Sequence, residues 1–167
     1  MKKLLERIKL CKLPPPQRRS LPFECYWEDS ILTQEQERIF SNQWLGLGRS
    51  DRLENPGEYE VFDLCGQALV LIRDQDKELR LYANTCRHRG AKLLDGSGQC
   101  QAISCPFHGW TYSLDGNLKY AKTMEENPSF DFAEHSLIEY KLKELQGFLF
   151  VFLGNKPTDL SNQLGNF

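Results

Sequence analysis

Cys86-Arg87-His88-Arg89-Gly90 and Cys105-Pro106-Phe107-His108-Gly109-Trp110 decide how this chain is read, with the 16 residues Arg89 to Ser104 between His88 and Cys105. One arm is Cys-x-His and the other Cys-x₂-His. Two short arms far apart in sequence can close on one metal centre from opposite sides. Thiolates suit one iron and neutral imidazoles another, so Cys86 and Cys105 on one iron with His88 and His108 on the other describe a [2Fe–2S] cluster. Its charges balance: two ferric ions against two sulfides and two thiolates, the imidazoles being neutral. An all-cysteine cluster would carry two further negative charges and resist the incoming electron more strongly. The competing reading is a structural zinc site. Zinc modules, however, usually take Cys-x₂₋₄-Cys on one arm and His-x₃₋₅-His on the other, whereas each arm here supplies one residue of each type.

Working outward from the arms, the chain reads mainly as strands. After the Asn55-Pro56-Gly57 turn signal, Tyr59–Leu64, Ala68–Arg73 and Leu79–Ala83 have strand character, with Asp74 to Glu78 as a polar turn. Residues 84–109 are loop-like. Trp110–Leu114 and Asn117–Tyr120 flank Asp115-Gly116, a hairpin signal. Ile138, Tyr140 and Leu142 alternate with charged residues, as in a half-exposed strand, and Phe148–Leu153 is apolar throughout, as in a buried one. On the N-terminal side, Thr33-Gln34-Glu35-Gln36 fits a capping box, and Ile39, Phe40 and Trp44 share a helical face, so the pattern predicts a helix over about Gln34 to Gln43. Leu4 to Leu13 has the spacing of a short amphipathic helix, and Pro14-Pro15-Pro16 predicts an extended spacer. No element is evident from Gly154 to Phe167. The fold class expected is all-β, an antiparallel sandwich with a cluster-binding subdomain and one N-terminal helix. The domain plan is an extension over 1–20, a cluster domain over 21–155 and a tail over 156–167.

Length and composition exclude several functions. The chain has 167 residues and a net charge of −2, so it has room for one well-cored domain and no general affinity for nucleic acid. Charge is uneven: residues 2–19 are basic and Glu125 to Glu134 acidic. Met1-Lys2-Lys3 is followed by no apolar signal region, and no run approaches membrane-spanning length, so a cytoplasmic location without membrane association is expected. The six cysteines, with no secretory signal, are read as thiols rather than a disulfide framework.

The two arms resemble the Rieske domain of the ring-hydroxylating oxygenase large (alpha) subunit. Leu21-Pro22 to Tyr26, Pro56-Gly57-Glu58-Tyr59, Thr111-Tyr112, Leu114-Asp115-Gly116 and Leu145-Gln146-Gly147-Phe148-Leu149-Phe150-Val151 extend the likeness over residues 20–155. It leans toward the branch of choline monooxygenase and other N-demethylating or aromatic-ring enzymes. The resemblance implies a Rieske sandwich with the cluster loops at its tip. It implies an oxidoreductase component of a monooxygenase or dioxygenase, with electrons arriving from a ferredoxin or flavin reductase. They would leave through His108 to a mononuclear non-haem iron in the catalytic domain of a neighbouring alpha subunit. That iron needs two histidines and a carboxylate, and with three histidines in the chain only His135 remains. The oxygen-activating domain is therefore expected to lie outside this chain, which would not be catalytically complete alone. The alternative function is a stand-alone Rieske ferredoxin, although such carriers lack the long preface Leu21 to Pro56.

The resemblance also places the site among low-potential centres, because Ala91 and Phe107 stand where high-potential relatives carry a disulfide. Other residues admit plainer readings beside the functional ones. Trp110 is read as a shield against water or as core; Arg87, Arg89 and Lys92 as a docking patch or a solvated face. Gly90, Gly98 and Gly109 are read as turn residues that bring backbone N–H groups near the sulfides, Ser113 as a candidate hydrogen-bond donor to the site, and His135 as a surface or strand-edge residue.

Overall fold

The computed structural model describes residues 2–124 and 126–165. Glu125, the first residue of the acidic stretch, and Asn166 and Phe167, the end of the expected tail, lie outside the described residues, as does Met1. The chain divides into two compact units, Met1–Asn42 and Gln43–Phe167.

The first unit is helical. Helix α1 (Lys2–Lys9) runs into a 3₁₀ turn at Leu10–Lys12, a further 3₁₀ turn follows at Phe23–Tyr26, and α2 spans Asp29–Arg38, followed by a third 3₁₀ turn at Phe40–Asn42. Helix α2 begins five residues before the expected start. Thr33 does not cap it; its hydroxyl donates to the Asp29 carbonyl at 2.9 Å from inside the helix. Asp29 in the first turn suits the positive end of the helix dipole. At the other end, Ser41 Oγ and Asn42 Nδ2 donate to the Gln36 and Glu37 carbonyls at 2.7 and 2.9 Å and stop propagation. The three prolines form a turn rather than an extended spacer: the first available amide after them, that of Gln17, donates to the Pro14 carbonyl at 3.0 Å. Both N-terminal segments read as helical therefore form helices, each with an earlier start than its pattern suggested.

The second unit carries three antiparallel sheets, ordered β1-β10-β9, β4-β3-β2-β5 and β6-β7-β8. The strands are β1 (Trp44–Arg49), β2 (Glu58–Leu64), β3 (Gln67–Arg73), β4 (Leu79–Ala83) and β5 (Ser97–Gln99), then β6 (Ile103–Ser104), β7 (Thr111–Tyr112), β8 (Leu118–Tyr120), β9 (Lys141–Leu145) and β10 (Phe148–Phe152). The central element is β3, whose run Leu69-Val70-Leu71-Ile72 is buried on both faces. Successive side chains point to opposite sides. Leu69 and Leu71 join Leu81, Leu149 and Val151 in one core; Val70 and Ile72 join Cys86, Cys105, Trp110 and Tyr112 in the other. Each fully buried aliphatic side chain contributes about 1.5–3 kcal/mol.

Three elements depart from the sequence reading. Trp44, expected on a helix, opens β1, where its indole N–H donates to the Thr158 carbonyl at 2.7 Å and its ring meets Phe152 edge-on at 5.5 Å. The last apolar alternation begins as backbone bonding to β4, Tyr140 N–H to the Leu81 carbonyl at 2.8 Å, before the strand proper starts at Lys141. A short helix α3 (Leu160–Leu164), capped by Asp159, occupies the region read as featureless.

Candidate metal centre

Two loops project from this framework, and their backbones repeat one another. In the first, the Cys86 amide donates to the Ala91 carbonyl at 2.8 Å and the Gly90 amide to the Cys86 carbonyl at 3.0 Å. In the second, the Cys105 amide donates to the Trp110 carbonyl at 2.8 Å and the Gly109 amide to the Cys105 carbonyl at 3.1 Å. Both loops turn at a glycine with left-handed φ, +74° at Gly90 and +71° at Gly109, a conformation costly for any residue with a Cβ. Thr85 bridges to Lys92 at the base of the first loop, and Ser104 pairs with Thr111 at the base of the second. Because the histidines sit at the third position of one loop and the fourth of the other, equal backbones deliver unequal rings.

Four side chains predicted as ligands, Cys86, His88, Cys105 and His108, line one cavity of about 270 Å³, with Ala91 and Phe107 also on its wall. Both thiols are buried, 2% and 4% exposed, so the sulfurs sit at the base of the loops and the imidazoles nearer solvent. The two imidazole centroids lie 4.8 Å apart. His88 Nδ1 is buried and has no hydrogen-bond partner. Such a group is costly unless something takes its lone pair. Burial first, then the nearby Arg89 and His108, lowers the His88 pKa and favours the neutral ring that a metal needs. Among the described residues, no three of His, Cys, Asp and Glu converge tightly enough to hold a single ion. The donor set, the cavity and the orphaned nitrogen fit a [2Fe–2S] group.

Behind the loops lies a residue that sequence reasoning missed. Tyr112, fully buried, accepts from the Arg87 amide at 3.0 Å and places its hydroxyl 3.4 Å from Cys86 Sγ. Burial, then the hydrogen bond with Cys86, pushes its phenol above the usual tyrosine range, so the hydroxyl keeps its proton and can donate to a Cys86 thiolate. Ser113 is committed to Asp115 and to the Asn117 carbonyl within the hairpin, not to the centre. Asn84 was also missed. Its side chain is 1% exposed and spans both backbone groups of Leu94, donating at 2.8 Å and accepting at 3.0 Å, which ties the two ends of the first loop together.

The remaining residues divide. Trp110 is buried and stacks on His88 with centroids 4.7 Å apart at 11°. Gly98 lies away from the cavity, paired opposite Tyr59 in β5. Lys92 is engaged by Asp95, which leaves Arg87 and Arg89 as the uncompensated part of the basic cluster among the described residues. His135 is half-buried in a 3₁₀ turn and packs on Phe130 and Trp110, not on a strand edge. All six cysteines are free.

A family model described as the Rieske [2Fe-2S] domain matches residues 43–136. The carnitine monooxygenase oxygenase subunit of Escherichia coli (strain K12) is 34% identical over 90% of this chain. The chain spans 40% of that subunit's length. The crystal structure of the apo form of a quaternary ammonium Rieske monooxygenase superposes with a TM-score of 0.83 at 34% identity, covering 89% of this chain and 43% of that one. Naphthalene 1,2-dioxygenase from Rhodococcus sp. superposes at 0.85 over 98% of this chain and 37% of its own, and at 24% identity it shows the shared fold. No helix among the described residues is long and apolar enough to cross a membrane.

Proposed function

The chain belongs to the Rieske [2Fe-2S] domain family, and from that premise we propose that it relays single electrons, as the Rieske portion of an oxygenase large subunit of the quaternary-ammonium branch. Cys86 and Cys105 would hold one iron of the cluster, His88 and His108 the other. The observation that carries the reading is the pair of matching loops closing on one cavity with His88 Nδ1 buried and unpartnered. When bound, the cluster supplies a one-electron store with no open coordination position. The chain's own residues do the rest. Gly90 and Gly109 allow the turns that aim the ligands. Tyr112 donates toward the Cys86 thiolate and is itself oriented by the Arg87 amide. Trp110 covers one face of His88 and excludes water from it. His108, exposed beside the exposed Phe107, presents the imidazole edge through which a partner would exchange electrons. The donor would be a ferredoxin or flavin reductase, and the acceptor a mononuclear non-haem iron in an oxygenase catalytic domain. The names of the relatives support a quaternary ammonium compound as the substrate of that assembly.

The test is direct. Purified chain is expected to be red-brown and to hold two irons and two acid-labile sulfides. Cys86→Ser and Cys105→Ser abolish loading, while Cys11→Ser, Cys25→Ser and Cys100→Ser leave it intact. Stoichiometric zinc without visible absorption, or normal iron in either ligand variant, overturns the assignment.

A further inference from the structure

His135 is the one histidine that the proposed centre does not use, yet its ring is not idle. Trp110 lies flat on His88, and parallel stacking alone leaves a ring free to slide. Two further rings meet Trp110 edge-to-face, Phe130 at 5.6 Å and 79° and His135 at 5.7 Å and 73°. Those two stack on each other at 4.3 Å and 28°, and Phe132 closes the group edge-on to Phe130 at 5.1 Å. The segment that presents them has no strand structure but is tied at several points. Asn127 Oδ1 accepts from Ser129 N at 3.0 Å, Asp131 Oδ1 from Ala133 N at 2.8 Å, and the Gly116 carbonyl from Leu137 N at 2.8 Å. His135 Nδ1 lies 2.8 Å from the Asp131 carbonyl. A carbonyl oxygen only accepts, so Nδ1 carries the proton and the ring plane is fixed from its own backbone.

We propose that His135 is a positioning residue: its ring, clamped on Phe130, holds Trp110 flat against His88 and so keeps water from the imidazole face that Trp110 covers. The inference rests on the cluster reading above. It differs from ordinary core packing in a measurable way. Loss of packing anywhere lowers stability, whereas loosening Trp110 also changes the surroundings of a ligand. The bound cluster would go from neutral to singly negative on reduction, and water near His88 favours the more charged state. Loosening therefore moves the midpoint potential upward.

Film voltammetry and pulsed EPR of the histidine nitrogens would be run on the full chain as wild type, His135→Ala, His135→Gln, His135→Phe, Trp110→Phe and the His135→Ala/Trp110→Phe double variant. Leu149→Ala in the other core serves as a stability control. His135→Ala and His135→Gln are expected to raise the midpoint and alter the nitrogen couplings. His135→Phe, which keeps the ring but not the bond to the Asp131 carbonyl, shifts less than His135→Ala. The His135→Ala shift largely disappears in the Trp110→Phe background, and Leu149→Ala lowers Tm without moving the midpoint. If His135→Ala does not fold, the Gln and Phe variants decide. An unmoved midpoint in a loaded His135→Gln chain, or an equal shift without Trp110, overturns the proposal. Absence of iron and sulfide from the wild type would instead overturn the cluster reading beneath it.

Discussion

Cys86 Sγ and the Tyr112 hydroxyl, 3.4 Å apart, carry the sharpest consequence at the scale of single residues. A donor to a thiolate ligand stabilises the more negative, reduced centre, so removing it lowers the potential. Hydrogen bonds to charged groups are worth about 1.5–3 kcal/mol, and if roughly half of that differs between redox states the shift is on the order of 60 mV for one electron. Tyr112→Phe is therefore expected to lower the midpoint by tens of millivolts with iron content unchanged, and voltammetry against wild type checks it. The wild-type midpoint itself is expected nearer −150 than +300 mV, since Ala91 and Phe107 exclude a disulfide between the loops. The four candidate ligands were legible in the sequence because cysteine and histidine at such spacing have few other uses. Tyr112 was not. A tyrosine in a short strand looks like core, and its contact with Cys86, 26 residues away in sequence, is set only by the tertiary fold. Ser113, one residue on, had the better chemistry on paper and faces Asp115 instead.

Among the elements, the first cluster loop depends on a side chain outside it. Asn84 satisfies both the amide and the carbonyl of Leu94 in a buried setting, and its own amide donates to the Ala68 carbonyl at 2.9 Å, which anchors the loop to β3. Asn84→Ala leaves two backbone groups without partners, at about 1–3 kcal/mol each if they stay buried. The expected outcome is a Tm lower by several degrees and faster loss of iron to a chelator. Asn84→Asp, which keeps the acceptor for Leu94 N–H but not the donor, is intermediate. Equal chelation rates for all three proteins would show that the loop is held otherwise. The same scale explains which elements the sequence revealed. The longer strands rich in apolar residues, β2, β3, β4 and β10, were visible. The strand β1 was not: Leu45-Gly46-Leu47-Gly48 has the glycine content of a loop, and its pairing with β10 is interrupted by a register shift between Gly46 and Gly48. The strands β5 and β6 span three and two residues, too short for periodicity to register. The true start of α2 was hidden because Thr33 satisfies a capping pattern that the Asp29 turn pre-empts.

For the whole molecule, β3 divides the second unit into a structural core and a core that includes both cysteines, so the candidate site is a continuation of the fold rather than an attachment to it. This arrangement suits a relay. Of the four candidate ligands, the two thiols are buried and the His108 imidazole is exposed. A mononuclear non-haem iron of the two-His, one-carboxylate type needs open positions and three protein donors converging on one point, and no such group of three occurs among the described residues. His135 is already engaged with the Asp131 carbonyl and the Phe130 ring. The curated relatives are longer by the remaining 60% of their length, since the chain spans 40% of the Escherichia coli subunit. The 167-residue chain alone is therefore expected to accept electrons from a suitable reductase and to return them slowly to dioxygen, uncoupled from any substrate. The measurement is to present the reduced chain with dioxygen and a panel of quaternary amines and aromatic acids, then to search for products by mass spectrometry while electrons consumed are counted. Loss of the visible spectrum of the reduced state with no product is the expected result. Hydroxylated or demethylated product in proportion to electrons consumed, with no second polypeptide present, would mean that an oxygen-activating site is formed by residues whose geometry here gives no sign of it.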